Sequence, residues 1–439
     1  MSGFVVAVGK YEKPVESVRS IIEACNGLSG LKSSDRVFIK PNIVFWSKAV
    51  SFPKFGVITT SRVVEDIVMI LSQMGVTDIT IGEGTVVFDP KDRETQSDAF
   101  QKLGYGKLRD KFGVKLLNVF DGSFEKTEIS EGITLNFSSE MMRSDFVINL
   151  PVLKTHAQTV VSLGIKNIKG TIDINSRKKC HNADARTDLN FMVSRLADNI
   201  PPGLTLIDGI YTNERGPGFD GKAHRSDILI ASNDVLSADL VGAKVLGYSG
   251  EIIPHLVHAA SKRGRPTDMS DISVVGDDPQ SLAKFHEYTF PYNEDNSLPL
   301  PMKKMGISGI SYPKYDLSLC TYCSLLTGAV LSSIAMAWKG KEWDDVEILT
   351  GKIMKPTAGK KSVLIGKCLY EANRNYPDKD QLTFIKSCPP QPKAILEALR
   401  NLGVDLPSDL LMNLEMVPAM FMKKYSGKPE FDESFFKID

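Results

Sequence analysis

The string Cys320-Thr-Tyr-Cys323 is followed by Cys368 in LIGKC and by Cys388 in KSCPPQP; these are four of the chain's six cysteines, all within its last 120 residues. Cys-x-x-Cys is the tightest spacing at which two thiolates grip one metal or cluster from a single turn of chain. Cys368 and Cys388 each follow a predicted strand, and loops at strand ends can carry distant thiolates to one point. Pro389 comes directly after the last cysteine, and its fixed φ and missing N–H stiffen a ligand loop. Three chemistries compete for such a set. A [4Fe–4S] cluster takes four thiolates and tolerates a long split between them. A structural zinc ion also takes four, but its sites usually present two tight pairs and here only one pair is tight. The third is a set of buried free thiols or a redox-active Cys-x-x-Cys. The expectation is a [4Fe–4S] cluster on Cys320, Cys323, Cys368 and Cys388, with Zn as the alternative. Cys25 reads as core filling on a helix, and Cys180, beside His181, stands outside the set.

A second group of polar residues lies earlier in the chain. RVFIK ends in Lys40-Pro41-Asn42, and DITI leads into Gly82-Glu83-Gly84-Thr85. FVINL leads into Pro151-Val152-Leu153-Lys154-Thr155-His156, followed by Gly164-Ile165-Lys166-Asn167-Ile168-Lys169-Gly170. LTLI ends in Asp208-Gly209. Ligands of open α/β sheets bind at the carboxyl ends of the strands, so these loops are expected to converge on one site. Lys40, Lys154, Lys166 and Lys169 have the chemistry to hold a carboxylate or phosphate. Asn42, Thr155, Asn167 and Asp208 complete the expected ligand-binding set. His156, Glu83 and Lys154 are the candidates for proton transfer. Each also has a plainer reading, because a strand-end lysine is usually solvated and a lone histidine usually structural. Gly82-x-Gly84 lacks the third glycine of a dinucleotide fingerprint.

The elements that must position these residues alternate between strand and helix. Phe4 to Gly9, Arg36 to Lys40, Asp78 to Ile81, Lys115 to Val119, Phe146 to Leu150, Leu204 to Ile207 and Ile228 to Ala231 read as strands. Pro14 to Cys25, a segment capped by Ser61 and running to about Met74, Asp184 to Asp198 and Val235 to Leu246 read as helices. The fold class is therefore α/β, a mostly parallel sheet with helices on both faces. Asp121 to Asn136 alternates and reads as a β-hairpin. A stretch rich in Pro, Gly, Ser and Asn from Tyr288 to Tyr315 marks a boundary. It divides a large domain at 1–300 from a smaller α/β unit at 301–439. In the small unit a helix follows Cys323, strands fall at Val346 to Leu349, Ser362 to Ile365 and Leu382 to Ile385, and a helix spans Pro392 to Leu402. The apolar helix after Cys323 is suited to shielding a cluster from water. Leu410 to Tyr425 is Met-rich and amphipathic and reads as a packing helix.

With 53 basic and 53 acidic side chains in 439 residues the net charge is zero, so no global charge argument points to nucleic acid or membrane. The N-terminus does not have the form of a signal peptide. The longest apolar run, Ser324 to Trp338, is shorter than the roughly 20 residues a membrane span needs. The expected location is cytoplasmic, and in that reducing setting clustered cysteines signal metal or redox chemistry more often than disulfides.

The strings IKPNIV, TTSRVVEDIV, IGEGT, INLPVLKTHAQTVVSLGIKNIKG, LIDGIYTNERGPG and DVLSADLVGAKVLG resemble the domain-of-unknown-function 362 family, over roughly Phe4 to Gly247. The resemblance implies a cytoplasmic protein of the kind found in bacteria and archaea, often with ferredoxin-like [4Fe–4S] modules after the main domain. The tail departs from that pattern, having no Cys-x-x-Cys-x-x-Cys-x-x-x-Cys-Pro run. Its LIGKC and SCPPQPKAILEAL strings are instead similar to the cluster-binding stretch of the small iron–sulfur subunits of respiratory complex I and nickel–iron hydrogenases, which implies ligation by Cys388 and Cys368. The function expected is an iron–sulfur redox protein, an oxidoreductase or electron-transfer protein, with an anionic small molecule or a redox partner protein at the large domain. The rivals are a lyase or isomerase using Lys/His acid–base chemistry, and a binding or assembly module with a structural metal. A homo-oligomer is compatible with all three.

Overall fold

The structure, a computed structural model, describes residues 3–87, 89 and 92–438. The chain forms two units: Met1–Arg177, Asn190–Thr289 and Pro418–Asp439 make the larger, and Lys178–Leu189 with Phe290–Val417 the smaller.

The large unit contains β1 (Phe4–Lys10), β2 (Val37–Pro41), β3 (Ile79–Glu83), β4 (Lys115–Asn118), β5 (Phe124–Ser130), β6 (Ile133–Ser138), β7 (Phe146–Leu150), β8 (Val152–His156), β9 (Val160–Val161), β10 (Gly203–Glu214), β11 (Lys222–Ser232) and β12 (Ile272–Gly276). Ten of them form one sheet in the order β12-β1-β11-β10-β7-β2-β3-β4, with β8 pairing β10 and β9 pairing β8. The run β10-β7-β2-β3-β4 is parallel throughout, whereas β11 is antiparallel to both its neighbours. β2, β3 and β7 are buried at every position, the pattern of strands covered on both faces. β5 and β6 form the expected antiparallel hairpin.

Several boundaries differ from the sequence reading. The helix over Ser61–Gln73 has Thr60, not Ser61, in the extended capping position. Asp184–Asp198 is not one helix: Asp184 caps a short 3-10 turn at Ala185–Thr187, Asp188 is extended, and a helix follows at Leu189–Ser194. The segment expected as a loop after FVINL continues, past Pro151, as β8. Asp208 and Gly209 lie inside β10, which runs on to Glu214 and pairs with β7 early and with β8 later, its register against β8 shifting between Asp208 and Asn213. The tail is not a continuous amphipathic helix but short turns at Asp409–Met412, Leu414–Met416 and Val417–Met422. Asn413 leaves helical geometry, with φ −123° and ψ 49°, and separates the first two.

The small unit is a four-stranded, wholly parallel sheet in the order β13 (Ile310–Ser311), β14 (Val346–Leu349), β15 (Lys361–Ile365), β16 (Leu382–Ile385). Val346, Ile348, Val363, Ile365 and Ile385 pack with Val330 and Ile334 of the helix Thr321–Ala337 and with Ile395 and Leu399 of Pro392–Asn401. Leu349 and Leu364 pack instead with Leu369 of Lys367–Asn373. Both faces of the small sheet are thus covered by helices, as a parallel sheet requires.

Candidate functional site

Because the small sheet is parallel, the carboxyl ends of its four strands lie along one edge. β13 leads toward Cys320 and Cys323, β14 to Lys352, β15 to Cys368 and β16 to Cys388. Cys320 occupies the capping position of the helix Thr321–Ala337, with φ −83° and ψ 166°, and Cys323 lies in its first turn. Helix N-termini favour negative charge and so the thiolate form. Cys368 is in the first turn of Lys367–Asn373, directly after Gly366, whose φ of 102° suits glycine. A side-chain carbon placed on Gly366 would stand 3.4 Å from Sγ of Cys323 and 3.8 Å from Cγ of Pro390. The sulfur of Cys323, the turn into Cys368 and the loop after Cys388 therefore come to one place. The thiol pair Cys320–Cys323 shares a hydrogen bond that holds Cys320 down to about 5. Cys323 is raised by that bond, then by burial and by charge at Cys320, Cys388 and Cys368.

Lys352 and the segment Lys178–Leu189 frame this edge. The Lys352 backbone N–H donates to Oγ of Ser318, two residues before Cys320, at 2.8 Å. Its ammonium donates to the carbonyl of Lys178 at 3.0 Å and to that of His181. Nδ1 of His181 lies 3.2 Å from the carbonyl of Leu317, and the Lys178 ammonium sits 5.0 Å above the ring of Tyr322. Lys352 and Lys178 are the positive charges acting on Cys368, and Lys352 also acts on Cys320. The sequence reading missed Lys352, although its place after a strand, matching Cys368 and Cys388, was a usable signal.

The four thiols match in type and number the donors that a four-iron cluster or a structural zinc ion takes. Zinc–sulfur bonds of 2.3 Å at tetrahedral angles would bring the four sulfurs to about 3.8 Å of one another. Among the described residues no group of three or more His, Cys, Asp or Glu is gathered in a way that could hold a metal ion. In a four-iron cluster each thiolate binds its own iron, so the sulfurs stand farther apart than around one ion. Four thiolates on three loops at one edge match such a cluster in type and number.

The large unit gathers five of the residues expected at its site, together with Asn149, which was not anticipated. Nζ of Lys40 lies 2.8 Å from Oε2 of Glu83, and the pair is almost wholly buried. Glu83 also accepts from the backbone N–H groups of Ile43 and Gly84, both at 2.8 Å. Lys154, fully buried, donates to Oδ1 of Asn42 at 2.6 Å, to the carbonyl of Val57 at 2.7 Å and to that of Pro217 at 3.3 Å. Asn42 donates to Oδ1 of Asn167 at 2.8 Å, and Asn167 donates to Oδ1 of Asn149 at 2.8 Å and to the carbonyl of Lys40 at 3.2 Å. One hydrogen-bonded network thus joins β2, β3, β7, β8 and the turn Gly164–Asn167. Burial lowers Lys40 and brings Lys154 down to about 7. The ammonium groups are engaged by protein acceptors rather than presented to solvent.

Asp208, Thr155, His156, Lys166 and Lys169 complete the expected set. Asp208 accepts from the backbone N–H of Thr60 at 2.7 Å and of Ile210 at 3.0 Å, setting a carboxylate at the N-terminus of the helix Ser61–Gln73. Burial pushes its pKa up to about 6. Thr155 donates to the carbonyl of Glu287 at 3.0 Å, and Nδ1 of His156 accepts from the Gln158 N–H at 3.1 Å. Lys166 and Lys169 are part-buried at the turn that carries Asn167. Asp239, also not anticipated, accepts from the N–H groups of Gly164 at 2.6 Å and Ile165 at 2.9 Å, so it fixes the start of that turn.

Residues 37–244 match the model of a family described as a domain of unknown function, DUF362. The matched stretch spans the whole polar network of the large unit and ends before the four clustered cysteines. The thylakoid-associated protein sll1697 of Synechocystis sp. is 29% identical over 251 residues, which is 56% of this chain and 74% of that protein. Among the described residues no helix is long and apolar enough to cross a membrane.

Proposed function

We propose that this is an iron–sulfur redox protein whose small unit holds one [4Fe–4S] cluster on Cys320, Cys323, Cys368 and Cys388. The observation that carries the reading is the meeting of three cysteine-bearing loops at the carboxyl edge of a parallel sheet. The similarity of LIGKC and SCPPQPKAILEAL to small iron–sulfur subunits of complex I and hydrogenases supports it. Such a cluster supplies one-electron transfer. With four thiolates for four irons, no iron is left open for Lewis-acid work, which favours redox over a lyase or isomerase role. Zinc is the weaker alternative because structural zinc sites usually present two tight Cys-x-x-Cys pairs, and here only Cys320 and Cys323 form one. All six cysteines are free, which suits a reducing compartment such as the cytoplasm.

The large unit would take the anionic small molecule or partner on which the electron acts, around Lys40, Asn42, Glu83, Lys154 and Asn167. Its donors are already engaged, so entry of an anion requires exchange of a bond, and the 3.3 Å contact of Lys154 with the Pro217 carbonyl is the longest of the three Lys154 makes. A second reading, acid–base chemistry at Lys154, draws on the amine's depressed pKa of about 7.

The test is anaerobic purification with iron, sulfide and zinc analysis, then potentiometric titration followed by EPR. Four irons and four sulfides per chain, a reducible signal, and loss of both in Cys388→Ala are expected. One zinc per chain without sulfide overturns the cluster. A full cluster that cannot be reduced overturns the redox role and leaves the acid–base reading in its place.

A further inference from the structure

The cysteine edge is not uniform toward solvent. Cys320 is buried and Cys323 half-buried, whereas Cys368 and Cys388 are exposed. The thiolate-bearing site therefore reaches the surface on the side of β15 and β16 and is closed on the side of the helix Thr321–Ala337.

That open side is lined with positive charge. Lys367 is adjacent to Cys368 and Lys386 lies two residues before Cys388; both are exposed. The two loops are tied together there, since the Lys386 ammonium sits 4.5 Å over the ring of Tyr370, two residues after Cys368. Of the nearby carboxylates, Glu371 pairs with Arg374 at 3.2 Å and Glu397 with Lys393 at 3.8 Å, while Asp316, beside Gly351, accepts from the Ser318 N–H at 2.6 Å. Since the whole chain has zero net charge, this rim is a local concentration and not a share of a general excess. Ile353, in the loop after β14 at the same carboxyl edge of the sheet, is 48% exposed, and an apolar point beside a charged border is usual in an interface.

We propose that the Cys368–Cys388 rim is the docking surface for a small acidic one-electron carrier protein, steered by Lys367 and Lys386. The inference rests on the cluster reading above. One electron leaves the reduced carrier, which is thereby oxidised, and enters the small unit at this rim; no proton or covalent bond changes hands. Complementary charge raises the encounter rate and is screened by salt.

The experiment uses the full chain, purified anaerobically, with reduced plant-type [2Fe–2S] ferredoxin as the acidic probe. Stopped-flow absorbance follows electron transfer as a function of ionic strength, for the native chain and for Lys367→Glu/Lys386→Glu. The expected result is a rate that falls with salt and drops about tenfold or more at low salt in the double variant. Iron and sulfide content, and reduction by photoreduced neutral deazaflavin, should be unchanged. A basic carrier should show the reverse, with a rate that rises with salt and in the double variant. A cluster-loaded chain whose ferredoxin rate ignores both salt and the reversals overturns the docking surface alone. A chain isolated without iron and sulfide overturns the cluster reading and the surface with it.

Discussion

Nζ of Lys40 and Oε2 of Glu83 stand 2.8 Å apart with neither side chain more than 3% exposed. A buried ion pair adds little net stability, but removal of one member leaves an uncompensated charge in the interior, at about 3–5 kcal/mol. Lys40→Met is therefore expected to destabilise the large unit by that amount in urea titrations. Lys40→Met/Glu83→Gln should recover part of the loss, because no full charge is then stranded. A single variant as stable as the native chain would show that the loss of Lys40 strands no charge in the interior.

The same pair explains a glycine. A side-chain carbon at Gly170 would lie 2.3 Å from Oε1 of Glu83 and 2.5 Å from Nζ of Lys40. Real contacts are not that short, so Gly170→Ala must push either the ion pair or the Gly164–Thr171 segment aside. Overpacking of this kind costs about 1–3 kcal/mol. The midpoint of chemical denaturation should shift down accordingly, with no change in its slope.

A pH dependence follows from His255, which is fully buried and has, among the described residues, no hydrogen-bond partner on either ring nitrogen. Burial pulls its pKa down to about 3, below the ordinary 6.5. The unfolded chain then takes up a proton below pH 6.5 that the folded chain refuses. This part of the stability is intact above pH 6.5 and is lost as the pH falls from there toward 3. At pH 5 the loss is about 2 kcal/mol, from one and a half pH units at 1.36 kcal/mol each. His255→Leu should remove it, so the difference in stability between variant and native chain should move in the variant's favour by about that amount from pH 8 to pH 5. A difference independent of pH would mean the ring is hydrated or charged in the fold.

The alternating order of strands and helices was legible because the central strands are unbroken apolar runs, such as Phe146-Val-Ile-Asn-Leu150, and parallel sheets require such runs. β8 was not, because Val152-Leu-Lys-Thr-His156 carries three polar residues that read as a loop. They tolerate a buried strand only because Lys154 finds the acceptors of Asn42, Val57 and Pro217, up to 112 positions away. Nothing local announces such partners. Asp208 was misread for a related reason: its carboxylate serves the N-terminus of a helix far earlier in the chain. The residues of the polar network were picked by type, and Lys40, Asn42, Glu83, Lys154 and Asn167 do meet. Their saturation by internal acceptors is a property of packing that type and spacing do not carry. Lys352 escaped attention because a lysine after a strand is ordinary until its carbonyl partners are seen.

Those partners make Lys352 a positioning residue with a measurable effect. Its ammonium bonds the carbonyls of Lys178 and His181, and its N–H bonds Ser318, so it fixes the Lys178–His181 segment against the loop that ends in Cys320. Its charge acts on Cys320 and Cys368. A fixed positive charge beside a redox centre favours the reduced, more negative state. With the proposed cluster in place, Lys352→Met should lower its midpoint potential by on the order of tens of millivolts, with iron and sulfide content retained. Lys352→Arg keeps the charge and should keep the potential near the native value, even where the changed shape disturbs the carbonyl bonds. If both variants shift alike, Lys352 acts through the loop it anchors; if neither shifts, it acts on the fold and not on the centre.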